Sequence, residues 1–241
     1  MTVKEHYANH LGNFYSWMAG DFDTKQNEFL QFLREQGIYP SHSKTALDLG
    51  AGHGLQTVPL AKLGFKVISV DFNQQLLDEL KEHTKGLSVD VIHEDIRHVN
   101  KFAPYEPELI LCCGDTLAHL DNKGEVEQFI KDISVTLVKG GRVLLSFRDY
   151  SEPLTGNSRF IPVKSDDTRI LTCILDYEEN SVTVTDLLHE KTATGWLQKV
   201  SAYKKVRLTT AHVTQLLEAN GLRIECNVVV NRLVTIIATK D

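Results

Sequence analysis

The chain has 241 residues, 42% hydrophobic and 24% charged, with a formal net charge of −6. That length buries a full core without disulfides or metal, and it fits one α/β domain carrying at most a sizeable insertion. The acidic balance, with no run of Lys and Arg, argues against a nucleic-acid footprint, and no stretch is long and apolar enough to cross a bilayer.

Residues Glu5 to Asp21 are rich in aromatics (Tyr7, Phe14, Tyr15, Trp17), and Thr24 to Glu35 carries Phe29, Leu30, Phe32 and Leu33 at helical spacing. Together residues 1–44 form an N-terminal helical cap. Its aromatics serve either as helix-packing core or, for Tyr15 and Trp17, as contacts over a ligand site. The N-terminus shows no apolar core of a signal peptide, so a cytoplasmic location is expected.

From position 45 short apolar strands alternate with amphipathic helices. Strands are expected at 46–49, 66–71, 88–93, 108–113 and 142–147, with helices at 55–63, 73–84 and 123–137, the last stopped by Gly140-Gly141. This alternation implies βαβ crossovers and a mainly parallel sheet. After Tyr150 the rhythm changes. Residues 151–167 look like loop, then 169–177, 181–190 and 196–208 are three strands of an antiparallel meander. Residues 151–208 are therefore an insertion over the carboxyl end of the sheet, an acceptor-side lid with Tyr177, His189, Trp196 and Tyr203 as its bulky or titratable residues. Helix 210–220 and two strands, 222–230 and 232–239, close the chain as an antiparallel hairpin.

Four cysteines, Cys112, Cys113, Cys173 and Cys226, form no C-x-x-C pair and sit in apolar surroundings, as buried reduced thiols. Lys204, Lys205 and Arg207 make a small basic cluster, expected at a solvated strand edge. No His/Cys/Asp grouping has metal-ligand spacing, so no metal is expected.

The stretch TALDLGAGHG, residues 45–54, joins the first strand to its helix. Glycines at 50, 52 and 54 permit positive φ and close approach of backbone N–H groups to a ligand. Both dinucleotide and S-adenosylmethionine sites use such a loop. Here the spacing is G-x-G-x-G, with Leu55 where a dinucleotide site has its third glycine. Asp48 ends the strand before the loop, where it would crowd a pyrophosphate but attract the α-ammonium of a methionine moiety. Asp71 closes the second strand and suits both ribose hydroxyls. Asp95 and Ile96 follow the third strand and suit an adenine amino group and ring. Asp115 follows the fourth. Carboxylates at four consecutive strand ends, in register with the loop, mark the edge where open parallel sheets bind ligands.

DLGAGHG, VISVDFN, HEDIR, LILCCGDTLAHL and LVKGGRVLLSF resemble the successive motifs of class I S-adenosylmethionine-dependent methyltransferases over roughly residues 45–150, and FYSWMAGD and CCGDTLAHL are loosely similar to small-molecule N-methyltransferases of the glycine/sarcosine type. The resemblance implies a Rossmann-like seven-stranded sheet of order 3-2-1-4-5-7-6 with strand 7 antiparallel. It also implies a cofactor site lined by Asp48, Gly50, Gly52, Asp71, Phe72, Asp95, Ile96 and Cys113, to which the residue pattern adds Tyr15, Trp17, Gly54 and Asp115. The implied reaction is in-line methyl transfer to a small-molecule acceptor, an amine foremost, driven by proximity and orientation. An oxygen or carbon acceptor would need a base. Candidates at the ends of the fourth and fifth strands are Asp115, His119, Arg148, Asp149 and Tyr150, with His119, Arg148 and Tyr150 as the catalytic set. His119 is either a base or a structural histidine. Arg148 either clamps a substrate carboxylate or pairs with a neighbouring carboxylate. No N-P-P-Y-type sequence follows the fourth strand, which disfavours nucleic-acid bases and protein glutamine as acceptors. A nicotinamide-cofactor oxidoreductase and a cofactor-binding sensor without methyl transfer are the rival functions, and a homodimer is compatible with the chain.

Overall fold

The structure is a computed structural model describing residues 1–241. Three short helical pieces begin it: α1 (Val3–Asn9), a 3-10 turn (Leu11–Asn13) and α2 (Tyr15–Ala19). Thr2 and Glu5 cap α1 reciprocally, satisfying N–H groups that a helix start leaves open. The longer α3 (Phe22–Glu35) starts on Asp21, whose carboxylate accepts the Thr24 N–H at 2.8 Å.

The central sheet comprises β1 (Thr45–Leu49), β2 (Lys66–Asp71), β3 (Val89–His93), β4 (Leu109–Cys112), β5 (Arg142–Phe147), β10 (Leu222–Val230) and β11 (Leu233–Lys240). Between them lie α4 (Thr57–Lys62), α5 (Gln74–His83), α6 (Lys123–Thr136) and α7 (Thr210–Ala219). The spatial order is β10-β11-β5-β4-β1-β2-β3, which is the expected 3-2-1-4-5-7-6. Strand β11 runs antiparallel to β5, and Asn231 and Arg232 turn the closing hairpin at φ +50° and +65°. All five residues of β1 are buried, because a central parallel strand is covered on both faces and needs an unbroken apolar run. Cys112 and Cys113 face opposite ways, one into each of the two main cores.

A second sheet, β6 (Phe160–Ser165), β7 (Arg169–Tyr177), β8 (Ser181–Thr192) and β9 (Gly195–Val206), is entirely antiparallel in that order. It has four strands rather than the expected three. Part of the stretch that looks like loop forms β6, and Pro162 obscures it in the sequence. An edge strand tolerates proline, and β6 is an edge with a register shift just after Pro162. Residues 11–18 pack on this sheet, whereas α3 packs on the central one through Leu33, with Phe29 and Phe32 beside it. Leu11, Phe14, Leu171 and Leu188 make a small separate core, with Tyr7, Tyr15, Trp17 and Met18 against it. A buried polar cluster fastens α1 to the same sheet: His6 Nε2 is 3.1 Å from Asp186 Oδ2, and His6 Nδ1 is 2.8 Å from Ser201 Oγ. The N-terminal helices and the second sheet thus roof the carboxyl end of the parallel strands.

Candidate functional site

Two adjacent cavities lie beneath that roof. One, of about 550 Å³, follows the carboxyl ends of β1, β2 and β3, and the other, of about 490 Å³, lies under β6–β9. Tyr7, Tyr15, Leu55, Gln56, Cys113, Gly114 and His119 line both, so they form a wall common to the two cavities.

The first cavity is built on the loop after β1. Gly50 and Ala51 both give their N–H to Val70 O, at 2.8 and 3.1 Å, folding the loop back over β2. Gly50 has φ +76°, and a Cβ there would lie 2.4 Å from Thr116 Cγ2. Only glycine lets β1 end so close to the turn after β4. Gly52 has φ +53°, and its missing Cβ would meet nothing nearer than Tyr15 at 3.9 Å, so that side of the backbone faces the cavity. Its N–H donates to Asp71 Oδ2 at 2.9 Å, while Asn73 N–H donates to Asp71 Oδ1 at 2.8 Å. Burial raises the Asp71 carboxyl pKa, and these two bonds oppose the rise. Phe72, Asp95 and Ile96 line the same cavity. Asp95 is held by Arg97, whose Nη2 is 2.6 Å from Oδ2.

Three residues expected here stand elsewhere. Asp48 is buried and does not line either cavity. Its Oδ2 accepts from Thr57 Oγ1 at 2.6 Å, tying the end of β1 to the start of α4. Gly54 packs against α5, where a Cβ would approach Leu80 Cγ to 3.2 Å. Trp17 turns outward: its indole N–H donates to Asp166 at 2.5 Å, and Lys164 and Arg169 lie over its ring. A fourth, Asp115, lines the second cavity rather than the first. Side-chain direction at a strand end depends on tertiary partners that spacing does not reveal.

In the second cavity Asp115 sits in the left-handed region, φ +73°. Its Oδ1 accepts the Arg148 backbone N–H at 2.9 Å, and its Oδ2 accepts Tyr150 Oη at 3.2 Å and Lys205 Nζ at 2.6 Å. Burial would raise this carboxyl, but the Lys205 ammonium beside it holds it below the ordinary value. Lys205, expected at a solvated edge, is instead buried. The alternation of β9 explains the difference: Ser201, Tyr203 and Lys205 share the inward face while Lys204 points out. That alternation is visible in the sequence, but adjacent lysines mask it. Arg148 lines this cavity, and its guanidinium pairs with no carboxylate; Asp149 instead accepts from Thr210 N–H at 2.8 Å and Ser151 N–H at 2.8 Å.

His119 faces both cavities, edge-on to Tyr7 and Tyr203 at 5.6 and 5.8 Å, and its buried Nε2 has no hydrogen-bond partner. Burial, reinforced by Lys205, pushes its imidazole down to about 3. It is therefore a neutral acceptor or donor at physiological pH and a poor proton store. Tyr150 and Tyr203 are buried phenols with raised pKa, chiefly through burial. Spacing also missed Tyr7, His53, Cys173 and Asp186, all of which line one or other cavity. Cys173 is not in a purely apolar setting, since its thiol donates to Asp186 Oδ1 at 2.9 Å. Of the bulky or titratable meander residues, Tyr203 reaches the cavity, whereas Trp196 lies exposed near the tip of the β8–β9 hairpin and Tyr177 and His189 do not line it.

Comparison with known proteins adds to this geometry. The methyltransferase-domain family profile matches residues 46–141. A glycine/sarcosine/dimethylglycine N-methyltransferase of Actinopolyspora halophila is 26% identical over 138 residues, covering 55% of this chain and 23% of its own length. Glycine N-methyltransferase of Oryctolagus cuniculus is 29% identical over 173 residues, covering 64% and 58%. The chain thus spans less than two thirds of these curated relatives. Among solved structures, an S-adenosylmethionine-dependent methyltransferase from Clostridium acetobutylicum shares the fold at a TM-score of 0.73 and 18% identity, over 91% of this chain and 92% of that one. CalS10, an amino pentose methyltransferase from Micromonospora echinaspora described with S-adenosylmethionine bound, has a TM-score of 0.73 at 15% identity, over 93% and 94%. S-adenosylmethionine is the cofactor of this group, and the first cavity fits it: the Gly52 backbone is open toward the cavity, and carboxylates stand at the ends of β2 and β3. Residues 46–141 thus match a methyltransferase domain, and the strand order and glycine loop around them are those that the resemblance to class I S-adenosylmethionine-dependent methyltransferases implies.

Proposed function

We propose that the protein transfers a methyl group from S-adenosylmethionine to the nitrogen of a small amine. The observation that carries this reading is the shared wall between the two cavities, with His119 and its unpartnered Nε2 at the junction. Asp71 would take the ribose hydroxyls, Asp95 and Ile96 the adenine, and the loop backbone at Gly50 and Gly52 the methionine end. When bound, the cofactor supplies an electrophilic methyl group. The chain's own residues do the rest. The roof of N-terminal helices and second sheet excludes water and acts as the acceptor-side lid. His119, neutral, accepts a hydrogen bond from the acceptor nitrogen and orients its lone pair toward the junction. Arg148, free of any protein carboxylate, takes an anionic group on the acceptor. Collinear alignment of this kind supplies much of the rate for a displacement that needs little covalent help. Four unpaired cysteines support a cytoplasmic setting.

The test is calorimetric titration with S-adenosylmethionine and with NADH, followed by assay of S-adenosylhomocysteine release across a panel of amines. Binding of the first ligand with release in the presence of an amine supports the proposal. Cofactor binding without release from any amine would favour a sensor, and binding of NADH alone would overturn the assignment.

A further inference from the structure

The second cavity has unmet hydrogen-bonding capacity of one kind. Lys205 Nζ is buried, its side chain 10% exposed, and Asp115 Oδ2 is its only hydrogen-bond partner. An ammonium carries three N–H donors, so two are left over inside the cavity. The Tyr203 ring, 5.6 Å away, offers a π face and no lone pair. The cavity's inner carboxylates are already engaged. Asp115 accepts from Arg148 N–H, Tyr150 Oη and Lys205, and Asp186 accepts from Cys173 Sγ and lies against His6 Nε2. Arg148, an exposed residue at the cavity's edge, has a guanidinium that pairs with no side chain of this protein. At the α3 side of the cavity Lys25 and Glu28 offset one another in charge. What the inner cavity lacks is anionic oxygen. Lys205 borders the cavity as a buried side chain and Arg148 as an exposed one, and the two residues meet at Asp115, whose Oδ2 accepts from the Lys205 ammonium and whose Oδ1 accepts from the Arg148 backbone N–H.

We infer that Lys205 and Arg148 form a two-cation subsite, so that the acceptor is an amine bearing two anionic groups, an aminodicarboxylate in the simplest case. This rests on the second cavity being the acceptor site. A neutral amine would complete neither cation. An amine with one carboxylate would complete the Arg148 fork and leave the Lys205 donors open, with the penalty that buried unpaired donors carry. If Lys205 were only a strut joining β9 to the turn after β4, its removal would change stability without changing which ligand is preferred.

The experiment is calorimetry on protein saturated with S-adenosylhomocysteine, using aspartate and glutamate, their neutral amides asparagine and glutamine, and glycine. The dicarboxylates should bind roughly tenfold or more tighter than their amides, the ratio expected for a hydrogen bond to a charged group. Replacing the pair together, Lys205→Met with Asp115→Asn, leaves no orphan charge and should collapse that ratio toward one. Lys205→Arg should retain it. An unchanged ratio in the double variant, amides binding as tightly as dicarboxylates to the wild type, or no probe binding at all would overturn the inference. Binding of S-adenosylhomocysteine is measured first in each protein. Its absence from the wild type counts against the methyltransferase reading, whereas its presence without a dicarboxylate preference counts against the two-cation subsite alone.

Discussion

Thr57 Oγ1 donates to Asp48 Oδ2 at 2.6 Å beneath the glycine loop, and the Thr57 oxygen lies 2.9 Å from Ser69 Oγ on the neighbouring strand. The trio locks β1, β2 and α4 together at the point where the cofactor loop begins. Burial pushes the Asp48 carboxyl from 3.8 up to about 7, and the Thr57 hydrogen bond only partly opposes this.

Between about 4 and 7 the folded state holds a proton on Asp48 that the unfolded state has released. The stability from this group is full below the unfolded value and is lost as pH rises through about 7. Asp48→Asn removes the ionisation. Urea unfolding at pH 5 and pH 8 should show the variant gaining on the wild type at the higher pH. Each tenfold difference in proton affinity between the folded and unfolded states is worth about 1.4 kcal/mol at most. An equal difference at both pH values would mean that the carboxylate is already ionised at pH 5.

Asp71 both shapes the loop and faces the ligand, so its charge and its shape need separating. Asp71→Asn keeps an oxygen for one of the two N–H groups and loses the negative charge. Cofactor affinity should fall by about 1.5–3 kcal/mol, the worth of hydrogen bonds to a charged group, with a smaller change in melting temperature. Calorimetry with S-adenosylhomocysteine reads this directly, and unchanged affinity would remove Asp71 from the ribose role.

Gly50 and Gly52 share a positive φ but differ in surroundings. Gly50→Ala drives a Cβ into Thr116, so it should lower the melting temperature as well as cofactor binding. Gly52→Val has open space at Cβ and suffers mainly left-handed strain, about 1–2 kcal/mol. It should stay folded by circular dichroism and lose cofactor binding, because its side chain enters the cavity. Normal binding by the Gly52→Val variant would show that the backbone there does not approach the ligand.

His119 is too weak a base, near 3, to shape the neutral-pH activity profile. The pH dependence of kcat/KM should therefore track deprotonation of the amine acceptor itself. No inflection from this histidine should appear between about pH 6 and 7, where an ordinary imidazole titrates. His119→Phe should lower kcat by roughly tenfold or more through lost orientation and leave the pH profile in place. A profile that loses an acidic limb in the variant would instead make His119 the general base.

The chain's local patterns are enough for the sheet. Apolar runs such as Ala46–Leu49 and the alternation with amphipathic helices fix βαβ units, and the carboxyl-end edge then has to hold the loop and the residues at strand ends, including Asp71 and Asp95. Strand β6 is hidden in the sequence because Pro162 forbids a central ladder position but not an edge.

Which side chains at that edge enter a cavity is settled only by tertiary structure. Asp48 and Asp71 end adjacent strands, yet one is captured by Thr57 and the other opens on the cavity. Trp17 follows Lys164, Asp166 and Arg169 outward, while Tyr15 two residues earlier stays in the shared wall. Lys205 looks solvated in sequence and is buried because Asp115, 90 residues away, neutralises it. The sequence encodes periodicity and backbone freedom, which are local; the direction of a charged side chain is set by whichever partner the fold delivers.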